Sequence, residues 1–243
     1  MLPLAKLQKQ SVPTANINPK ETLVKARAKK QLIILPYYFR SGFRNAKATL
    51  YLRASVYKRL AKAASNLPEG LSLILLDGWR HLNLQHELLK SFATKASDGS
   101  DVTKFVFNPA QVGHQREYPT DDPPHCTGGS VDVTIGWSAN QWWPMGTDFD
   151  EMSDRTQTNV FEKENFNLNA KEATRVRAGR RLLCGVMRDA GFTNYPGEWW
   201  HFDFGNAFWR FYGKTEAASV FKSIQRQRKD PGGNRIRIVK SKT

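Results

Sequence analysis

The sequence predicts a single compact α+β domain, on three observations. Two segments space their apolar residues three and four apart, which is the period of an amphipathic helix. Short apolar or aromatic runs of strand length lie between and after them. The polar residues with useful chemistry sit on or beside those short runs, in one α+β arrangement. At 243 residues the chain is long enough to bury a sizeable core.

Each element has a local reason. Residues 1–30 are polar and weakly patterned. Residues 48–64 place Leu50, Ala54, Tyr57, Leu60, Ala61 and Ala64 on one helical stripe, which Asn66, Pro68 and Gly70 end. Residues 71–76 form an almost continuous apolar run suited to a buried strand, closed by Asp77-Gly78. A second helix is expected over residues 83–93. Residues 97–124 are rich in Ser, Asp, Gly and Pro and read as a long loop, a length that is often functional inside a compact domain. A short strand follows at 131–135, then an irregular stretch over 136–168. Asn169 and Glu172 have capping-box spacing ahead of a helix carrying Val176, Leu183, Val186, Met187 and Ala190 on one face. Gly191 is its expected stop. Residues 199–204 are aromatic-rich and strand-like.

Composition excludes several classes. Hydrophobic residues make up 40% and charged residues 24%, a globular rather than disordered balance. No stretch approaches 18 uncharged apolar residues, so no transmembrane helix is expected. The N-terminus lacks the apolar core of a secretory signal. The two cysteines, Cys126 and Cys184, cannot form a disulfide scaffold, and a reducing, cytoplasmic location fits.

The net charge of +15 is unevenly placed. Residues 1–30 hold seven Lys or Arg against Glu21, and residues 222–243 hold eight against Asp230. The body, residues 31–221, is left with only +2. The expected division is therefore a basic N-terminal extension (1–30), a nearly neutral folded domain (31–221) and a basic C-terminal tail (222–243). Specific nucleic-acid binding would place a basic stripe on the body, which is nearly neutral. The two ends are read as solvated segments with weak affinity for anionic surfaces, and as dispensable for chemistry.

Histidine is scarce, at five residues, and two of the five stand beside acids at useful spacings. His125 precedes Asp132 by seven positions, with Gly128-Gly129 between to permit a turn. His201 follows Glu198 by three, and Gly197 permits a bend there. Two imidazoles and a carboxylate form a ligand set for catalytic zinc, leaving a fourth position for water. Such an ion lowers the pKa of its water from ~15.7 to about 7. A further carboxylate must then move the proton, and Glu198 has the right type and neighbourhood. Read without metal, the same histidines are ordinary polar residues near loops, and spacing alone leaves both readings open.

The segment His125-Cys126-Thr127-Gly128-Gly129-Ser130-Val131-Asp132, followed by Glu198-Trp199-Trp200-His201, resembles the D-alanyl-D-alanine dipeptidases, within the wider zinc D-Ala-D-Ala peptidases. The resemblance runs from about Tyr37 to Ile224. It includes Asp77-Gly78-Trp79-Arg80, Met145-Gly146-Thr147-Asp148-Phe149-Asp150, and Arg180-Arg181-Leu182-Leu183 ahead of Met187 and Gly191-Phe192. It implies a small antiparallel sheet carrying the zinc site, flanked by helices. It implies one zinc on His125, Asp132 and His201, with Glu198 as catalytic base. Arg80 then matches an arginine that stabilises the tetrahedral oxyanion, a role suited to a permanently charged fork of donors. Asp150 matches the acid that holds the substrate ammonium, and Tyr37 falls near a tyrosine at the same end. The implied reaction is hydrolysis of D-alanyl-D-alanine or a related D,D-dipeptide to free amino acids.

Two departures stand out. Pro123 occupies a position where the family often has a serine contacting the substrate amine, and proline offers no hydroxyl. His81 follows Arg80 where the family often has proline. Two rivals use the same residues differently. One is a D,D-carboxypeptidase or endopeptidase on peptidoglycan stem peptides. The other is a non-catalytic nucleic-acid- or surface-binding protein on a peptidase-like fold, although loss of function would normally remove a ligand or the base. Among other residues, Cys126 reads as a small buried side chain and His114 as a surface histidine. Trp199 and Trp200 read as apolar walls of core and pocket. Trp142-Trp143 either cover the pocket or pack beneath the 136–168 segment.

Overall fold

The computed structural model describes residues 15–95, 122–217, 220–226 and 238–239. Its strands are β1 (Leu23–Lys25), β2 (Leu32–Ile34), β3 (Tyr51–Arg53), β4 (Ser72–Asp77), β5 (Ser130–Ser138), β6 (Gln141–Trp142), β7 (Thr193–Asn194) and β8 (His201–Asp203). Its helices are α1 (Tyr37–Arg40), α2 (Ala54–Ser65), α3 (Leu82–Lys95), α4 (Ala170–Asp189) and α5 (Ala207–Tyr212). A last pair, Gln225–Arg226 with Ile238–Val239, is antiparallel. The main sheet runs β2-β4-β5-β8-β7, with β6 folded back onto β5. All of its pairings are antiparallel except β2 with β4, which is parallel.

The core follows the apolar pattern. Leu73, Ile74, Leu75 and Leu76 of β4 and Val131, Val133 and Ile135 of β5 are fully buried. Helices α2 and α4 pack on each other and against the sheet. Helix α2 contributes Val56, Leu60, Ala63 and Ala64, spaced four, three and one apart, as one buried stripe. Helix α4 opens with a complete capping box. The Asn169 side-chain Oδ1 accepts from the backbone N–H groups of Lys171 and Glu172, and the Glu172 carboxylate accepts from the Asn169 backbone N–H. It closes in a Schellman turn: Gly191, at φ +91°, donates to Arg188, and Phe192 donates to Met187. Cys126 and Cys184 are buried free thiols.

Three sequence expectations are corrected. The first long helix begins at Ala54, not residue 48, because residues 51–53 pair as a strand with β1. Long-range pairing outweighs the local helical spacing there. The strand expected over 199–204 is confined to 201–203, and Trp199 and Trp200 belong to the preceding turn. Charge also does not mark the packing boundary at the N-terminus. Ile17, Leu23 and Ala26 are buried, and Glu21 accepts from the Ser55 N–H and hydroxyl. Buried Arg53 gathers both ends onto the body. It donates to the carbonyls of Glu21, Thr127 (2.8 Å) and Lys222 (3.0 Å), and lies over the Phe221 ring. Ile224 is likewise buried, with its N–H on the Cys126 carbonyl. Residues 15–30 and 220–224 therefore support the turn that carries His125. His114 and most of the 97–124 segment lie outside the described residues. No helix among the described residues is long and apolar enough to cross a membrane.

Candidate active site

The site begins as a row across three neighbouring strands. Asp77 on β4 pairs with Asp132 on β5, and Asp132 pairs with His201 on β8. Directly paired residues point to the same face, so three polar side chains meet on one side of the sheet. His125 joins from the short helical turn Pro124–Thr127 just before β5. That turn ends at Gly128, whose φ of +74° suits glycine, and a Cβ at Gly129 would lie 2.7 Å from the Phe204 carbonyl oxygen. The two glycines thus bring His125 back over Asp132.

His125 Nε2 lies 3.2 Å from Asp132 Oδ2 and 3.2 Å from His201 Nδ1, and His201 Nδ1 lies 3.2 Å from Asp132 Oδ1. One ligand atom from each of the three residues fits within 4.8 Å of the others. All three side chains are buried. Two imidazole nitrogens and a carboxylate oxygen converging this closely suit a divalent transition ion with an open position. The other nitrogen of His125 settles its tautomer. Nδ1 is 2.8 Å from the Gly78 carbonyl, which can only accept, so Nδ1 carries the proton and Nε2 offers its lone pair to the cluster.

The Asp77-Gly78-Trp79-Arg80 motif now has a physical reading. Gly78 anchors the His125 ring, and the Arg80 N–H binds the His125 carbonyl at 3.2 Å. The Arg80 guanidinium is held on Asp77 (2.9 Å) and Gln85 (2.7 Å), with Nη2 3.6 Å from Asp132 Oδ2. Burial works against its charge, but Tyr38, Asp77, Asp132 and Asp150 hold it charged.

Glu198 sits in the turn between β7 and β8, fixed by its N–H on Tyr195 and its carbonyl under the Asn194 amide. Its Oε2 is 3.7 Å from His201 Nδ1. Asp150 enters from the 145–157 segment at φ +59° and accepts from the Tyr38 hydroxyl at 2.6 Å. His125, Asp132, His201, Glu198, Arg80 and Asp150 all line one cleft, together with Tyr38 and Trp200. Trp199 instead lies in the core, its indole N–H on Thr147. Trp143 donates to the Arg175 carbonyl on α4 and stacks on Trp137.

Tyr37 is the candidate the structure sets apart. It packs edge-on against Phe149 and lines an open depression with Trp142, Asp148 and Asp150, so it adjoins the cleft at Asp150 without lining it. Its neighbour Tyr38 faces the cleft. Two adjacent tyrosines at the head of a four-residue helix point in different directions, and no local pattern tells which of them lines the cleft. Asp77, Gln85 and Tyr38 were not picked out as functional. For Asp77 a signal existed: an acid ending a buried strand three residues before an arginine.

Charge is unevenly tuned across the cleft. Burial would raise the Asp132 carboxyl, but His125 and His201 hold it well below the usual carboxylate range. Burial pushes Asp150 up to about 7, helped by the Asp132 charge, and pushes Glu198 up to about 8 against the pull of His201. Both carboxyls therefore hold protons in the folded, metal-free chain that the unfolded chain releases near pH 4. Stability contributed by such groups is lost as pH rises through the folded values. The chelator-treated chain is expected to melt at progressively lower temperature between pH 5 and pH 8. Asp132 is ionised throughout that range and adds no slope. A melting midpoint that stays level or climbs over the range would contradict this picture.

Comparison with known proteins agrees with the geometry. The chain is 29% identical over 174 residues to a D-alanyl-D-alanine dipeptidase of Synechocystis, covering 65% of this chain and 70% of the relative. It is 26% identical over 158 residues to a D-alanyl-D-alanine dipeptidase of Enterococcus faecium, covering 63% and 71%. A similar protein of Enterococcus faecalis, of the same name, is 27% identical over 135 residues, covering 55% and 62%. Residues 33–220, which hold every residue of the cleft, match the model of the D-Ala-D-Ala dipeptidase family, and the chain belongs to that family, peptidase M15.

Proposed function

We propose that this chain is a zinc-dependent dipeptidase that hydrolyses D-alanyl-D-alanine or a close D,D-dipeptide to free amino acids. The observation that carries the reading is the single cleft that holds the His125–Asp132–His201 cluster, Glu198, Arg80 and Asp150 together. Zinc on that cluster supplies a water acidic enough to act near neutral pH and an electrophile for the scissile carbonyl. The remaining work falls to the chain. Glu198, beside the cluster, takes the water proton and returns it to the departing amine. Its raised pKa in the metal-free chain falls once a divalent charge sits beside it. Arg80, held by Asp77 through Nε and Nη2 and by Gln85 through Nη1, keeps Nη2 within 3.6 Å of Asp132 Oδ2 beside the cluster, where negative charge develops on the carbonyl oxygen. Asp150 pairs with the substrate ammonium, and Tyr38 orients it by donating to Oδ2. Tyr38 takes the place that the sequence resemblance suggested for Tyr37.

Asp150 supplies the test that separates a dipeptidase from a carboxypeptidase or endopeptidase. Wild-type chain is offered D-Ala-D-Ala, its N-acetyl derivative, an L,L-dipeptide and a pentapeptide ending in D-Ala-D-Ala. Rapid turnover is expected only for the free D,D-dipeptide. Asp150→Asn neutralises one partner of a desolvated ion pair, which costs on the order of 2–5 kcal/mol. Its kcat/KM on D-Ala-D-Ala should fall by about 30-fold or more, with little change on the acetylated compound. Equal wild-type rates on free and acetylated substrates would replace this reading with the carboxypeptidase one. No hydrolysis of any of the four by zinc-loaded protein would support the non-catalytic rival.

A further inference from the structure

One buried carboxylate remains outside the mechanism above. Asp203 lies two residues after His201 on β8, directly paired with Ser130 on β5, so the pair continues the Asp132–His201 row by one step. It is completely buried, as is Ser130. Its Oδ2 faces His201 Nε2 at 3.2 Å, off the ideal hydrogen-bond line, and neither atom has another hydrogen-bond partner. Its Oδ1 accepts from the Ser130 hydroxyl at 2.6 Å and from the Asn206 amide nitrogen at 2.7 Å.

These contacts have a fixed polarity. The backbone N–H of Trp209 can only donate, and it binds Asn206 Oδ1 at 2.9 Å. The Asn206 amide is thereby oriented, and its Nδ2 must point at Ser130 Oγ (2.9 Å) and Asp203 Oδ1. Ser130 Oγ accepts from Asn206, so its own proton goes to Asp203. Both donors converge on Oδ1, which leaves Oδ2 to attract the proton on His201 Nε2. A neutral imidazole protonated at Nε2 has its lone pair on Nδ1, the nitrogen that faces Asp132 and His125.

We propose that Asp203 is a positioning residue for the metal centre. Through the Trp209–Asn206–Ser130 relay it holds His201 in the tautomer that ligates through Nδ1. The inference rests on the metal reading above and extends it to residues outside the ligand set. Carboxylates placed behind ligand imidazoles raise ligand basicity, and replacing them typically costs about 10–100-fold in metal affinity.

Asparagine at position 203 cannot reproduce the arrangement. With its oxygen toward His201, its NH2 meets the Asn206 NH2 and the Ser130 proton. With its NH2 toward His201, the imidazole must accept at Nε2 and carry its proton on Nδ1, where a ligand lone pair is needed. The full-length chain, stripped with chelator and reloaded, is titrated with zinc against a chromophoric chelator. Melting midpoints of the metal-free proteins serve as the folding control. Asp203→Asn is expected to bind zinc about 10–100-fold more weakly than wild type. Ser130→Ala, which removes one of the two orienting donors, is expected to lose a few-fold. A merely structural role would lower the metal-free melting midpoint and leave the zinc affinity of the folded protein unchanged. Zinc affinity within twofold of wild type in both variants overturns the proposal. If Asp203→Asn does not fold, Ser130→Ala alone decides, and an unchanged affinity overturns it. A wild-type chain that takes up no zinc at all overturns the metal reading itself, and the proposal with it.

Discussion

Replacing Glu198 with alanine is expected to cut turnover of D-Ala-D-Ala by about 10²–10⁴-fold or more while one zinc stays bound. His201→Ala is expected to lose both turnover and metal. The two residues are three apart in sequence and their side chains are 3.7 Å apart, yet their surroundings separate the roles. His201 Nδ1 is within 3.2 Å of Asp132 and of His125, at the centre of the cluster. Glu198 reaches it only from the turn outside the β5–β8 pairing. Elemental analysis of both purified variants, run beside their steady-state rates, reads the two properties separately. Loss of zinc in both variants would make Glu198 a ligand and leave the proton transfer without a carrier.

Arg80→Gln is the second large effect. A donor aimed at a developing oxyanion is worth about 10²–10³ in kcat, and the loss should appear in kcat with zinc content unchanged. Arg80→Lys should recover little, because an ammonium on a flexible stem cannot bind Asp77 and Gln85 while presenting a donor edge to the cleft. Arg80→Gln also leaves Asp77 buried without its cation, so that variant should melt earlier than wild type. Unchanged kcat in a folded Arg80→Gln protein would reduce the arginine to a structural partner of Asp77.

The fold was legible where local rules govern it. The Asn169–Glu172 capping box, the Gly191 stop and the buried run of β4 each follow from a handful of adjacent residues, and each is present. What the sequence concealed was set by pairing at a distance. Residues 51–53 fall inside a stretch of helical spacing but join β1, and the parallel β2–β4 pair has no signature in a three-residue strand. The N-terminal segment reads as a charged extension because its seven Lys and Arg face a single acid, Glu21, and its apolar residues are weakly patterned. A few buried side chains such as Ile17 and Leu23, with Glu21, were enough to dock it. In the site, His125, Asp132, His201 and Glu198 were visible because scarce histidines stood at short spacings from acids. Asp203 was equally close to His201, but an acid at i+2 on a strand has no meaning until the Ser130 pairing shows which face it shares. Tyr38 was hidden by Tyr37 for a similar reason, since the choice between neighbours is made by the direction of a single short helix.

The central claim is that His125, Asp132 and His201 hold the one ion on which dipeptide hydrolysis depends. The most direct measurement strips the chain of metal and restores zinc in fractional equivalents while following release of free D-alanine from D-Ala-D-Ala. The account predicts no hydrolysis at zero zinc, a linear rise, and a break at one equivalent per chain. Full activity in the stripped protein, or none at any zinc level, would contradict it.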